Sequence, residues 1–276
     1  MTVRRFLLLM VALGMALLGW SYWSAIADPV VREAEVALAD WPAGAPPVRA
    51  LLMSDLHVAG PDMPPERLAR IVEQANALRP DIILIAGDFV SDKRASTSSY
   101  SFAEAVAPLA GLRSRLGTVA VLGNHDHWRN AAEARAALTR IGVRLLDNDA
   151  AAVGPLAIGG LDDAFTNHQD PGAMMSAMRA LPGARIVLSH SPDPFPALPG
   201  DASLMLAGHT HCGQIRLPLI GAISTMSAYG DRYACGLIRE NGRMLIVSAG
   251  LGTSILPLRL GAVPDMWLVR LGPGPR

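Results

Sequence analysis

The sequence predicts an α/β domain of mixed sheets with helices outside, joined to an apolar N-terminal segment. Three observations carry that expectation. Apolar strand-like runs alternate with helical segments through the first half, which argues for parallel pairing through crossover helices. The second half breaks into short apolar runs divided by turn signals such as Asn241-Gly242, a strong hairpin pair. Residues with metal-binding chemistry stand directly after strand-like runs, so they should converge on one sheet edge, where such folds open their sites.

The N-terminal segment is charge-free from Phe6 to Ala27, with Arg4 and Arg5 before it. That length can span a bilayer with some tilt, and Trp20, Tyr22 and Trp23 lie where an interfacial belt would sit. We read residues 1–27 as a membrane anchor. A cleaved secretory signal is the competing reading, because Ala25-Ile26-Ala27 offers a small-residue cleavage site. Arg4-Arg5 followed by Phe6-Leu7 also has some likeness to a twin-arginine signal. The basic residues lead the apolar run, so the expected location is a bacterial-type inner membrane, single-pass, with the domain on the periplasmic or extracytoplasmic side.

Residues 28–47 read as a linker and leading strand, closed by the turn-rich run from Trp41 to Pro47. Residues 48–276 form the main domain. Strands are expected at 48–53, 82–86, 118–122, 185–188 and 204–207. A helix over 65–78 follows from the apolar face Leu68, Ile71, Val72, Ala75 and Leu78; Pro65 suits its first turn and Pro80 stops it. Further helices are expected at 102–112, 130–141 and 172–181. Further strands are expected at 156–160, 234–239, 244–248 and 266–271. The polar stretch 91–101 should be a mobile loop near the mouth of the site.

With 24 basic and 24 acidic residues the formal charge is zero, so no nucleic-acid partner is expected. Two cysteines, Cys212 and Cys235, are too few for a disulfide scaffold and lack zinc-knuckle spacing.

Five clusters carry the chemistry: Asp55-Leu56-His57, Gly87-Asp88, Gly123-Asn124-His125-Asp126, Ser189-His190 and Gly208-His209-Thr210-His211. They hold five of the seven histidines, and each follows an apolar run. A phosphoester repels an attacking nucleophile, and neutral water attacks poorly. Two cations a few ångströms apart solve both problems by activating a bound water and stabilising charge on the phosphate. Asp55, His57, Asp88, Asn124, His190, His209 and His211 supply enough ligands for two cations if Asp88 is shared. Carboxylate, amide and imidazole without thiolate favour manganese, with iron or zinc as alternatives.

Asp-x-His, Gly-Asp, Gly-Asn-His-Asp, a lone His and Gly-His-x-His stand here in the order found in the calcineurin-like metallophosphoesterases, which this chain resembles over residues 49–213. The resemblance implies a four-layer α/β/β/α sandwich with mixed sheets. It implies one metal on Asp55, His57, Asp88 and His211, and a second on Asp88, Asn124, His190 and His209. His125 would lie beside the substrate, as acid to the leaving group or as a phosphate contact, oriented by Asp126. The runs from Gly208 to Pro218 and from Gly250 to Arg259, with the anchor, are similar to the membrane-associated YaeI/YkuE-like branch. Some relatives of that branch cleave the pyrophosphate of UDP-2,3-diacylglucosamine in lipid A synthesis. Cys212 and Cys235 depart from the glycines expected there, and neither change removes a ligand.

The expected function is therefore hydrolysis of a phosphodiester or pyrophosphate, in a membrane lipid precursor such as UDP-2,3-diacylglucosamine or, alternatively, in a soluble or cell-envelope phosphoester. A non-catalytic metal-binding scaffold is the rival class; such a scaffold should have lost ligands, and here each is present. Other residues are open. His127 faces the substrate or caps the following helix, and His168 is a loop or a rim residue. Arg216 and Arg259 meet a phosphate or pair with a carboxylate. Gly250-Leu251-Gly252 is scaffold, since no helix with a basic residue follows it. Cys212 and Cys235 are reduced cysteines filling small spaces, or a disulfide that an oxidising compartment would permit.

Overall fold

The apolar runs ahead of the clusters become strands buried on both faces, which is what a sheet covered on each side requires. The structure, a computed structural model, describes residues 2–274. The chain begins with α1 (Val3–Ile26) and β1 (Val30–Leu38). Then come β2 (Val48–Met53), α2 (Pro65–Ala77), β3 (Ile82–Ala86), α3 (Phe102–Val106), β4 (Thr118–Val121), α4 (Asn124–Arg140) and β5 (Arg144–Leu145). Next are β6 (Asp149–Val153), β7 (Leu156–Leu161), α5 (Pro171–Arg179), β8 (Ala184–Ser189) and β9 (Leu204–Ala207). A ribbon of β10 (Arg216–Leu217) and β11 (Gly221–Ala222) precedes β12 (Gly236–Glu240), β13 (Arg243–Val247) and β14 (Asp265–Pro273).

Two six-stranded sheets result, ordered β1-β14-β2-β3-β4-β5 and β12-β13-β9-β8-β7-β6. Within each, the central strands β2, β3 and β4, or β7, β8 and β9, run parallel. Alternation along the strands sorts their side chains into layers. Ala50, Leu52, Ile82 and Leu84 meet Ile158, Ile186, Leu188 and Leu206 between the sheets. Leu51, Met53, Ile83 and Ile85 face outward onto Leu68, Ile71, Phe102 and Leu138 of α2, α3 and α4. On the opposite side Met174, Met175 and Met178 of α5 cover Ala157, Val187 and Met205. The layers are helix, sheet, sheet, helix.

Several elements differ from expectation. Residues 28–47 are not merely a lead-in: all nine residues of β1 pair with β14, and Val36 and Leu38 enter the core between the sheets. The helix expected over 102–112 is only one α-turn long, capped by Ser101 and Glu104. It passes into a 3-10 turn at Ala107–Gly111, where Pro108 offers no N–H to a longer helix. The helix expected at residue 130 starts at Asn124, with a kink at Asn130, so the third cluster is its first turn. Asn241 and Gly242 both take positive φ, 52° and 74°, as the expected two-residue hairpin turn between β12 and β13 demands. Helix α1 is long and apolar enough to cross a membrane.

Cys212 and Cys235 are joined by a disulfide, with their Cα atoms 4.7 Å apart. The bond ties the segment holding His209 and His211 to the start of β12. The reduced-cysteine reading is therefore corrected: the loop between them folds back and brings two distant small spaces together. A bond closing a 23-residue separation should contribute roughly 3 kcal/mol through the unfolded state. The double variant C212S/C235S should lose about that much in a urea titration. A midpoint equal to the parent's would show that the bond adds nothing.

Candidate metal centre

The loops after β2, β3, β8 and β9, with the first turn of α4, bring seven expected ligands to one edge of the two sheets. Asp55, His57, Asp88, Asn124, His190, His209 and His211 are all buried. Five of them, Asp55, His57, Asp88, His209 and His211, hold positive φ between 46° and 71°. Such conformations are disfavoured for side chains and concentrate where geometry serves a function. The loops interlock through backbone bonds: Asp55 N–H donates to Gly87 O at 3.0 Å and Gly208 N–H to His190 O at 2.9 Å. Gly123 is required by close approach, because a Cβ there would overlap the Asp88 carboxylate. Gly87 needs its φ of +80°, and a Cβ would fall 2.6 Å from Gly123 N.

The donor atoms converge. His57 Nε2 lies 3.0 Å from His211 Nε2, and His211 Nε2 lies 3.5 Å from Asp55 Oδ1. His190 Nε2 lies 3.0 Å from Asn124 Oδ1 and 3.1 Å from His209 Nδ1. Asp88 Oδ2 is 3.3 Å from both His57 Nε2 and His190 Nε2, between the two sets. A cation held about 2.1 Å from each ligand leaves neighbouring ligand atoms roughly 3.0–3.4 Å apart. The observed spacings match the edges of such a shell, so the residues fit two cations. Ala86 O accepts a hydrogen bond from His190 Nδ1 at 2.7 Å, and Met226 O accepts one from His209 Nε2 at 3.1 Å. Since a carbonyl only accepts, each bond turns the other ring nitrogen, with its lone pair, into the site.

Burial and crowding set the charges. Burial pushes the Asp55 carboxyl up to about 6. Burial, with His190 beside it, pushes the His209 imidazole down to about 3. His57 and His211 also fall well below the ordinary histidine range, chiefly by burial. Burial would raise Asp88, but His190, His125 and His57 hold it well below the usual carboxylate range. His57, His209 and His211 are thereby neutral and Asp88 ionised, the forms that bind metal. Burial would lower His190, but Asp88 and Asp55 hold it well above the ordinary histidine range, so a cation there must displace its proton.

His125 stands beside this cluster. Its ring meets His57 edge-on at 4.6 Å, and its Nε2 lies 3.5 Å from Ser254 Oγ. Burial lowers its pKa, but Asp88 and Asp92 outweigh that and leave it above the ordinary value. Its Nδ1 pairs with Asp92, not with Asp126. This corrects the expected orienting role. Asp126, three residues after the helix cap, turns back to accept backbone N–H bonds from Asp88 and Gly123 on Oδ2 and from Phe89 on Oδ1. It fixes the Asp88 loop, while burial and Asp88 push its pKa up to about 7.

Asp92 had no signal of its own, standing in a polar run expected to be mobile. That run is instead anchored at its start: buried Lys93 pairs with Asp62 at 2.6 Å and reaches Thr253 Oγ1 at 3.1 Å. His127 and His168 stack on each other at 4.0 Å, with His127 bonded to Asp162, outside the donor cluster. Arg216 donates to Cys212 O. Arg259 is fully buried and donates to the carbonyls of Ala249, Gly250, Gly252 and Ala262, bracing the loop behind Asp55 and His211. Gly250 and Gly252 pack against that same strand end, as scaffold. Beside the donors opens a groove of about 330 Å³ with Trp128, Ile215, Ile223, Met226, Ile255 and Leu256 in its walls.

Comparison with known proteins places these features in context. The calcineurin-like phosphoesterase family matches residues 48–213 of this chain. The uncharacterised metallophosphoesterase YkuE of Bacillus subtilis is 30% identical over 214 residues, 75% of this chain and 73% of that protein. Phosphodiesterase YaeI of Escherichia coli is 29% identical over 235 residues, 82% of this chain and 83% of its own. A transmembrane protein with metallophosphoesterase domain from Danio rerio is 30% identical over 87% of this chain, which spans only 56% of that relative.

Proposed function

The chain belongs to the calcineurin-like phosphoesterase family, and from that premise we propose that it is a membrane-anchored phosphoesterase with a dinuclear metal centre. One observation carries the reading: Asp88 Oδ2 stands 3.3 Å from a ring nitrogen of each donor set, as a shared ligand must. Asp55, His57, Asp88 and His211 would hold one cation, and Asp88, Asn124, His190 and His209 the other. Bound cations would make a water acidic enough to attack and would offset the phosphate charge. The absence of thiolates from the donor set suits manganese, with iron or zinc next; both cysteines are in the disulfide.

The remaining residues position and protonate. Asp126 and Gly123 hold the Asp88 loop. Asp92 holds the His125 ring so that Nε2 can carry a proton toward the departing oxygen, at the mouth of the apolar groove. That groove supports a phosphodiester or pyrophosphate with an apolar, lipid-linked portion, although its residues do not single out UDP-2,3-diacylglucosamine. We read α1 as retained and not cleaved. Ser21, Ser24 and Ala25 are buried against the domain, and Ala27 O accepts a bond from Arg67 at 2.8 Å. The basic residues ahead of it would leave the domain on the extracytoplasmic side.

The test is metal removal. Chelated, dialysed protein should lose hydrolysis of bis-p-nitrophenyl phosphate and regain it with manganese, with metal analysis approaching two ions per chain. Activity indifferent to chelation, or full activity with one ion, would defeat the dinuclear reading.

A further inference from the structure

From Leu217 to Gly230 the chain has no charged residue, yet this segment is not core. Leu219 is fully exposed, Ile220 is 73% exposed and Ile223 64%. Beside it, Ile255 is 61% and Leu256 46% exposed, in the uncharged run from Ser254 to Leu258. Backbone and side-chain bonds join the two: Leu260 N–H donates to Gln214 O at 2.9 Å, Arg216 N–H to Leu260 O at 2.7 Å, and Gln214 Nε2 to Leu256 O at 3.1 Å. A contiguous apolar surface of this kind marks a site of contact.

Its position relative to α1 identifies the partner. Arg259 N–H donates to Ser21 O at 2.9 Å, and Ser21, Ser24 and Ala25 are buried against the domain, so the end of the helix is fixed to this segment. Trp20 and Trp23 flank Ser21, exposed and 5.0 Å apart. Such a pair at the end of a spanning helix sits at the headgroup level of a bilayer. Residue 259 is thereby held at that depth, and the apolar surface continues from it. Ile223, Ile255 and Leu256 belong both to this surface and to the wall of the groove beside the metal donors.

We infer that the surface formed by residues 217–226 and 255–256 rests in the lipid bilayer. The groove then opens at headgroup level, and a lipid phosphoester reaches the site with its acyl portion still in the membrane. The inference rests on the reading of α1 as a retained span.

The test uses the full-length chain. Since both native cysteines are bonded, L219C supplies a unique thiol for a nitrobenzoxadiazole label. R140C, at the exposed far end of α4, is the reference position. Each protein is reconstituted in vesicles of phosphatidylethanolamine and phosphatidylglycerol, with doxyl-labelled lipid or aqueous iodide as quencher. The label at 219 should lose most of its emission to the doxyl lipid and be protected from iodide, with the reverse at 140. Iodide quenching at 219 equal to that at 140 would overturn the inference. Shielding from both quenchers would also overturn it, in favour of a protein partner. Neither measurement needs catalysis. Hydrolysis of bis-p-nitrophenyl phosphate by the same preparations reports the phosphoesterase reading separately, so either can fail alone.

Discussion

Asp88→Asn should lose activity by at least ~10³-fold, about 4 kcal/mol of barrier, together with bound metal. Asp88 is the carboxylate placed between His57 and His190, and its charge would be shared by both cations. An amide keeps the shape and removes that charge, so both affinities fall and the bound water becomes less acidic. Asp88 Oδ1 also accepts the His125 backbone N–H at 2.9 Å. A general loosening must therefore be distinguished from loss of charge. Metal analysis and a thermal unfolding curve on the same variant do so. Near-native turnover with full metal content would refute the shared-ligand role.

His125→Ala should keep its metal and lose turnover by about 10²–10⁴-fold, the usual range for a general acid. The loss should shrink with leaving groups that need no proton, such as p-nitrophenolate, and be largest with alkyl esters. An equal loss across leaving groups would assign His125 to phosphate binding. Asp92→Asn should act through the same ring. Asp92 is among the groups that raise His125, so its removal lowers that pKa. An acid must be protonated, and activity is lost as pH rises through its pKa; the alkaline fall in rate should therefore move to lower pH. An unmoved profile would detach Asp92 from the acid.

By itself the sequence determined the central strands and the donor types; β5, β6, β10 and β11 gave no signal, and the four layers were what the family resemblance implied. Runs such as Ile82–Ala86 are too short for a buried helix and read as strands buried on both faces, and a polar cluster directly after such a run is confined to the sheet edge. Those properties are local: apolar period, a turn residue, a side chain with a lone pair. Helix capping was partly local too, yet Pro108 shortened α3 where the apolar pattern alone favoured a longer helix. Tertiary structure decided the rest. Asp92 became the partner of His125 across 33 residues, Arg259 became a brace for distant carbonyls, β1 became a sheet edge beside β14, and Cys212 met Cys235. Each of these depends on where the packed sheets carry two remote backbone segments. Asp126 shows the difference most clearly: its neighbour in sequence is His125, but the first turn of α4 points its carboxylate back at the Asp88 loop, because unpaired N–H groups there need an acceptor.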